Sequence, residues 1–465
     1  MFKKTAIAAS LLVSFAAAAT TSAPKYVLYM IGDGMGAAHR QVAEYYAQHE
    51  KHDKNYHLSI NSLPVSGIIT TQSANTLVTD SAAAGTALAT GMKTNNGMIA
   101  VTPEGKPLRT LVEAAEDQGK ATGLVTTTRI THATPAVFAS HNPNRNDENA
   151  IAADFLDSGV DVFLGGGWRY FTKVDGKTKR TDNRDLVQEF KKEGYKTFIS
   201  ETSTGDFRKY MPSAGDKVLG LFTSSHLPYA IDRIDTKTPS LAELTSKAIN
   251  LLSKDKDGFF LMVEGGRIDH ASHANDIAGS INDTLAFDAA VAQALKFYDQ
   301  HKEETLLVVA SDHETGGMGL GLGKQYFMTL DQVEKSHESI EDALQGVYKG
   351  NRDAFFKHIA TQFELTDLSK DEKNQVIKAM DVLDAGKTKH DADVKAIYGG
   401  YDPVAMAVAH ITSKRAGVYW TSYAHTGTQL PISAIGVESE KLGGFKDNTD
   451  VAKTIARIMD VKIGQ

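Results

Sequence analysis

The sequence predicts an α/β chain: a three-layer sandwich with a mostly parallel central sheet, helices on both faces, and a mainly helical insertion. Three observations carry this. Short β-branched runs recur and most are uniformly apolar, as strands buried on both faces of a parallel sheet are. Helical stretches lie between them, so strand and helix alternate. The alternation breaks once, over more than a hundred residues between Ala310 and Ile432.

Taken in order, the apolar runs are Tyr26–Ile31, Ser66–Thr70, Gly123–Thr127, Asp161–Leu164, Val218–Phe222, Phe259–Val263, Leu306–Ala310 and Ile432–Val437. An Ala-rich helix is expected to begin near Ser81 and to stop at Gly91, a residue suited to ending helices. Leu108–Gln118, Asn149–Ser158, Leu241–Leu252 and Ile277–Gln300 read as further helices. From about 328 to 415 the chain is rich in charge and helix formers, with helices expected at Ser336–Val347, Asn351–Phe363, Ser369–Asp381 and Pro403–Lys414. No repeat, low-complexity linker or basic run interrupts it.

Residues 1–23 read as an export signal. Lys3 and Lys4 precede an apolar, Ala-rich run over Thr5–Ala19, too short to span a bilayer as a mature helix. Ala17-Ala18-Ala19 offers a cleavage site; Thr21-Ser22-Ala23 is less favourable because Pro24 follows. The remainder, 24–465, reads as one α/β domain with its insertion at about 328–415. The net charge is −7, and removing the two leader lysines makes the chain more acidic still. That disfavours nucleic acid or anionic lipid as a partner. There is no cysteine, which excludes disulfides, thiolate metal sites and a Cys nucleophile. A chain of this length buries enough apolar surface without staples.

In open α/β sheets, ligands sit outside the carboxyl ends of the strands. Gly32-Asp33-Gly34-Met35-Gly36 follows the first run, where glycines allow a sharp turn that exposes the Asp33 carboxylate. A dinucleotide site is disfavoured, because neither the helix opening nor the acidic ribose partner is evident. Thr79-Asp80-Ser81 follows the second run and puts Ser81 at a helix N-terminus. The dipole there is worth only about 1 kcal/mol, so a metal or base must activate the hydroxyl. Arg145 is a candidate phosphate fork. Glu264-Gly265-Gly266-Arg267-Ile268-Asp269-His270-Ala271-Ser272-His273 sets a carboxylate at a strand end, then Asp269 and His273 four apart, on one face of a helix. Asp312 and His313 follow Leu306–Ala310, and His425 follows the insertion. Asp33, Glu264, Asp269, His273, Asp312, His313 and His425 are all oxygen or nitrogen donors at or near strand ends. They suit two zinc ions and a harder ion that takes only oxygens. With a serine and an arginine, they compose a phosphoryl-transfer site.

These segments resemble the alkaline phosphatase family. Gly32–Gly36, Thr79-Asp80-Ser81-Ala82-Ala83, Val263–His270, Asp312-His313 and His425-Thr426-Gly427 stand in the family's order, over about 25–323 and 416–440. The resemblance implies that Ser81 is the nucleophile of a covalent phosphoserine and that Arg145 binds phosphate. It implies a first zinc on Asp269, His273 and His425, and a second on Asp33, Asp312 and His313. It implies a magnesium on Asp33, Thr134 and Glu264, with His132 and His270 beside that site. It also implies small phosphate monoesters as substrates, broad specificity, an extracytoplasmic location in the periplasm or medium, and a homodimer. Trp168 lies near the substrate mouth or, as the favoured reading, packs inside. A phosphodiesterase of the same superfamily is the alternative, yet diesterase relatives use threonine and lack the third metal. A sulfatase needs a modified Cys or Ser in a motif that Ala82-Ala83-Ala84-Gly85 does not supply. A phosphate-binding protein without turnover would not need the intact nucleophile.

Overall fold

The computed structural model describes residues 23–321, 323–324 and 326–465; the expected export signal, apart from Ala23, lies outside them. Ten strands form the central sheet: β1 (Tyr26–Gly32), β2 (Val65–Thr70), β3 (Ala121–Arg129), β4 (Val162–Gly166), β5 (Tyr195–Ile199), β6 (Lys217–Leu221), β7 (Phe259–Gly265), β8 (Thr305–Ala310), β9 (Leu430–Gly436) and β10 (Gly444–Asp447). Their spatial order is β10-β2-β9-β8-β1-β7-β3-β4-β6-β5. Only β9 runs antiparallel, against β2 and β8. The sandwich with a mostly parallel sheet is therefore the observed fold.

Alternate residues of β1 explain its unbroken apolar run. Val27, Tyr29 and Ile31 enter one core, with Leu88, Leu111 and Val451 from helices on that face. Tyr26, Leu28 and Met30 enter a second core, with Leu244, Leu252 and Phe287. A strand covered on both faces has no solvent side, so it shows no alternation. β2 departs from this pattern: Ser66 and Ile68 are exposed, because β2 lies next to the edge. Two edge strands escaped the sequence reading. β5 carries Lys196 and Thr197, and β10 carries Lys446 and Asp447, so neither gives an apolar run.

Between β8 and β9 lies a helical segment with its own core. Arg352–Gln362, Lys370–Asp384, Ala392–Tyr398 and Pro403–Ala416 are its longer helices, packed through Phe355, Ile359, Val376, Met380 and Val408. The Ser336–Val347 expectation shrinks to a helical turn over Ile340–Leu344. Ser339 caps its start, its hydroxyl accepting from the amides of Asp342 and Ala343, and Gly346 with φ 74° ends it.

Candidate metal centre and active site

Strand register gathers the first donors. Ile31 of β1 stands opposite Glu264 of β7 and Ala310 of β8, and Thr126 of β3 faces Glu264 from the other side. The residues that follow, Asp33 and Asp312-His313, therefore emerge side by side at the carboxyl end of the sheet. Gly34 makes the turn after Asp33 with φ 69°. A Cβ there would stand 2.8 Å from Thr315 Oγ1 and 2.9 Å from Asp269 Cα, so the turn needs glycine sterically as well as conformationally. The Gly34 amide donates to Asp312 Oδ1 at 3.1 Å.

Ser81 is the first residue of the Ser81–Thr90 helix, which is buried on every side and ends at Gly91 in the left-handed region. Asp80 caps it, accepting from the Ala83 amide at 2.9 Å. The other Asp80 oxygen accepts from the Gly97 amide and from Arg145 Nη1, both at 2.9 Å. So one carboxylate both caps the Ser81 helix and holds Arg145. Arg145 Nη2 lies 3.3 Å from His132 Nε2.

Among the described residues, three groups bring candidate ligand atoms within 4.8 Å of one another: Asp269, His273 and His425; Asp33, Asp312 and His313; Asp33, His132 and Glu264. The first group shows how its imidazoles are set. His273 Nδ1 lies 2.7 Å from the Tyr423 carbonyl, and His425 Nδ1 lies 2.8 Å from the Thr79 carbonyl. A carbonyl only accepts, so each Nδ1 carries a proton, and in the neutral ring, the form that ligates metal, each Nε2 keeps its lone pair. Those two Nε2 atoms are 3.1 Å apart and stand 3.3 and 3.6 Å from Asp269 Oδ1. Two lone pairs at that distance repel, and a cation between them removes the conflict.

In the second group, His313 Nε2 lies 3.0 Å from Ser81 Oγ, 3.3 Å from Asp33 Oδ1 and 3.4 Å from Asp312 Oδ2. Its Nδ1 faces Thr315 Oγ1 at 3.2 Å, and that hydroxyl donates to Asp269 Oδ1 at 2.5 Å. Thr315 thus touches both groups. The rings of His313 and His425 stack, 3.5 Å between centroids.

The third group brings in His132, expected beside the site: a ring nitrogen lies within 4.8 Å of carboxylate oxygens of Asp33 and Glu264. Its Nδ1 is buried without a hydrogen-bond partner. Thr134, expected as a ligand, donates to Asp33 Oδ2 at 3.3 Å. His270 is half-buried against Arg267, whose Nη1 lies 2.9 Å from its Nδ1, and its ring lies 5.6 Å from that of His132. Trp168 is buried in the core, as its packing reading requires.

Buried orphan atoms test the fit to metal. Asp33 Oδ1, Asp312 Oδ2, Glu264 Oε1 and His132 Nδ1 lack hydrogen-bond partners. Such atoms are costly unless something pairs with them. Burial pushes the Asp33 carboxyl well up, with Asp312, Asp269 and Glu264 adding repulsion. Burial and then Asp269 push Asp312 up to about 8. Burial also raises Asp269, but His273, His425 and His313 outweigh it and hold that carboxyl below its ordinary value. Burial lowers His313 and His132, keeping both imidazoles neutral and fit to ligate. Crowded carboxylates, neutral imidazoles and no sulfur form a donor set that cations fit.

Several participants were not singled out in the sequence. Thr126 and Thr128 both donate to Glu264 Oε2, the former at very short range. Polar Thr126-Thr127-Thr128 ending an apolar strand was the available signal. Asp80 adjoined Ser81. His226 lies 4.3 Å from the His270 ring and beside Arg129, and nothing near it in sequence signals this.

The comparisons agree with this geometry. The alkaline phosphatase family model matches residues 24–461. Alkaline phosphatase 3 of Bacillus subtilis is 36% identical over 449 residues, 94% of this chain and 90% of its own length. The crystal structure of Thermus thermophilus alkaline phosphatase is 31% identical with a TM-score of 0.82, covering 94% of this chain and 92% of that one. A histidine-to-aspartate variant of TAB5 alkaline phosphatase, with magnesium bound in its M3 site, is 26% identical with a TM-score of 0.64, covering 95% of this chain and 99% of that one. With its fold, its clustered donors and a family match over nearly its whole length, the chain belongs to the alkaline phosphatase family.

Proposed function

We propose that this metal-dependent phosphomonoester hydrolase turns over many organic phosphate esters through a covalent phosphoserine on Ser81. The observation that carries the reading is Ser81 Oγ at a helix N-terminus, 3.0 Å from His313 Nε2 and within the carboxylate-rich donor cluster. Two zinc ions, one on Asp269, His273 and His425 and one on Asp33, Asp312 and His313, would supply the positive charge that lowers the serine and water pKa values and steadies the leaving oxygen. Asp33, Glu264 and Thr134 would hold magnesium. His132 stands within reach of the same position, so the third site accepts nitrogen as well as oxygen. Magnesium in the M3 site of the TAB5 variant supports a magnesium-capable third site.

The chain's own residues then act as follows. Ser81 Oγ gives its proton to solvent and attacks phosphorus in line; the bond from phosphorus to the ester oxygen breaks, and the departing alkoxide takes a proton from solvent to leave as the alcohol. Arg145, its Nη1 held by Asp80, offers its remaining N–H groups to the non-bridging oxygens. Water attacks the phosphoserine from the opposite side. The Ser81 oxygen leaves and recovers a proton, and inorganic phosphate departs with overall retention at phosphorus.

We read residues 24–465 as one α/β domain carrying a helical insertion at about 328–415. On the family resemblance we propose an exported homodimer. No helix among the described residues is long and apolar enough to cross a membrane. Light scattering after gel filtration checks the dimer.

The decisive assay offers p-nitrophenyl phosphate, bis-p-nitrophenyl phosphate and p-nitrophenyl sulfate to the zinc- and magnesium-loaded protein at alkaline pH. Monoester turnover should dominate; a faster diester rate would overturn the reading. Ser81→Ala should abolish acid-trapped phosphoserine and lower kcat at least about a thousandfold. Covalent phosphate persisting in that variant would show that another residue is the nucleophile.

A further inference from the structure

The metal-facing ends of His273 and His425 are aimed from behind, by the groups on their Nδ1 atoms. His425 leans on Thr79, next to the capping residue of the nucleophile's helix. His273 leans on the Tyr423 carbonyl, in a stretch without regular secondary structure. What fixes that carbonyl is therefore a question about the helical segment, because every contact of the Tyr423 side chain named below reaches into it.

The Tyr423 hydroxyl lies 2.9 Å from the Ile397 carbonyl and 3.0 Å from His410 Nε2. With its single proton donated to Ile397, the hydroxyl accepts from His410 Nε2–H. The ring lies against Gly399, which ends the Ala392–Tyr398 helix at φ 67°, and a Cβ there would stand 2.3 Å from Tyr423 Cγ. Asn275 closes the arrangement. Its side-chain amide donates to the carbonyls of Ser272 and Ser422, both at 3.0 Å, so the neighbours of His273 and of Tyr423 are clipped together. A cavity of about 460 Å³ opens behind this stretch, lined by His410, Trp420 and Tyr423 among others, so the ring has space to move into if its hydroxyl is released.

We infer that Tyr423 is a positioning residue through which the helical segment aims His273 at the ion it shares with His425 and Asp269. The inference rests on the proposed ligand reading of those three residues. Partners behind a ligating imidazole typically carry about 10–100-fold in metal affinity. Tyr423→Phe keeps the carbonyl and removes only its anchor, so the lower end of that range is expected.

The test follows metal release from the fully loaded enzyme into a chromophoric chelator, for wild type, Tyr423→Phe, Gly399→Ala and His425→Ala. His425→Ala identifies the release phase, and the visible bands of the cobalt-loaded protein, that belong to this site. Tyr423→Phe should speed that phase about tenfold and shift those bands, leaving the other phases and bands unchanged. Gly399→Ala, which displaces the ring while keeping its hydroxyl, should move the same phase. If Gly399→Ala does not fold, the Tyr423→Phe result decides alone. Wild-type release and bands in Tyr423→Phe would overturn the inference, as would an equal speeding of all phases. A full metal complement in His425→Ala would overturn the ligand reading, and the inference with it.

Discussion

The Asp33, Asp312 and His313 group and the Asp269, His273 and His425 group lie side by side but are built differently. All three side chains of the former are 0% exposed and spring from the ends of adjacent parallel strands. In the latter, His273 and His425 are 23% and 14% exposed. One sits on the short Arg267–His273 helix, the other in a two-residue ladder with Glu314–Thr315. The sheet-borne group is fixed by the core of the fold; the loop-borne group is fixed by backbone carbonyls borrowed from two distant segments. On the proposed mechanism this division suits the chemistry: Ser81, as nucleophile, faces the rigid group, and the accessible group beside it leaves a path for the entering water.

The largest expected effect breaks the rigid side. Asp312→Ala should remove one zinc equivalent and lower kcat by about a thousandfold, the scale of losing a main electrostatic stabiliser. His425→Gln should lower kcat by about a hundredfold at saturating zinc, because Asp269 and His273 still bracket the position. Metal analysis with steady-state kinetics checks both. Equal losses would erase the distinction between the groups.

How much of this contrast was legible in the sequence follows from the same difference. Asp33, Glu264 and Asp312-His313 each follow an apolar run, so the strand-end rule found them without any fold in hand. Asp269 and His273 were legible through helical spacing. His425 was weak evidence on its own and counted only through its convergence with the other donors, because its place depends on a chain reversal after the helical segment. Tyr423, Asn275 and Thr79 were invisible, since what they supply to the histidines is backbone carbonyl or a clip between loops, and side-chain identity does not advertise that. His132 was named beside the third position, and its ring lies close to Asp33 and Glu264 there. A residue's sequence neighbourhood does not reveal which way its ring points.

Removing metal should expose the next largest difference, in its pH dependence. Burial raises Asp312 from its ordinary 3.8 to about 8, so the folded apo-protein holds that proton where the unfolded chain has lost it. More protons bound in the folded state means stability falls as pH rises. Below about pH 6.5 the lowered His313 and His132 oppose this, because the unfolded chain takes up protons that the buried rings refuse; between about pH 7 and pH 8 the carboxyls are unopposed, so apo-protein stability should decline there, with Asp33, raised by burial in the same way, adding to the decline. Zinc binding reverses the sign, because cations favour the ionised carboxylates, so the stabilisation by zinc should grow with pH. Melting curves of apo and loaded protein across about pH 7 to pH 8 check this. An apo-protein whose Tm rises over that interval would show that the crowded carboxylates do not govern its stability.

The smallest effect is the most diagnostic, because it concerns a hydroxyl that touches both groups. Thr315 Oγ1 donates to Asp269 Oδ1 and faces His313 Nδ1. With its proton given to Asp269, the oxygen is left to accept from His313 Nδ1–H, which fixes the His313 tautomer and turns its Nε2 lone pair toward Ser81. Thr315→Val keeps the shape and removes the hydroxyl. It should weaken zinc at both positions by about tenfold, at the low end for partners of this kind, and leave the fold intact. If the groups were independent, one affinity would change and the other would not. A double-mutant cycle pairing Thr315→Val with His425→Gln, read as zinc affinity at the sheet-borne position, measures the coupling directly. Strict additivity there would mean that rigidity on the sheet side owes nothing to the loops, and that the borrowed carbonyls serve the accessible ion alone.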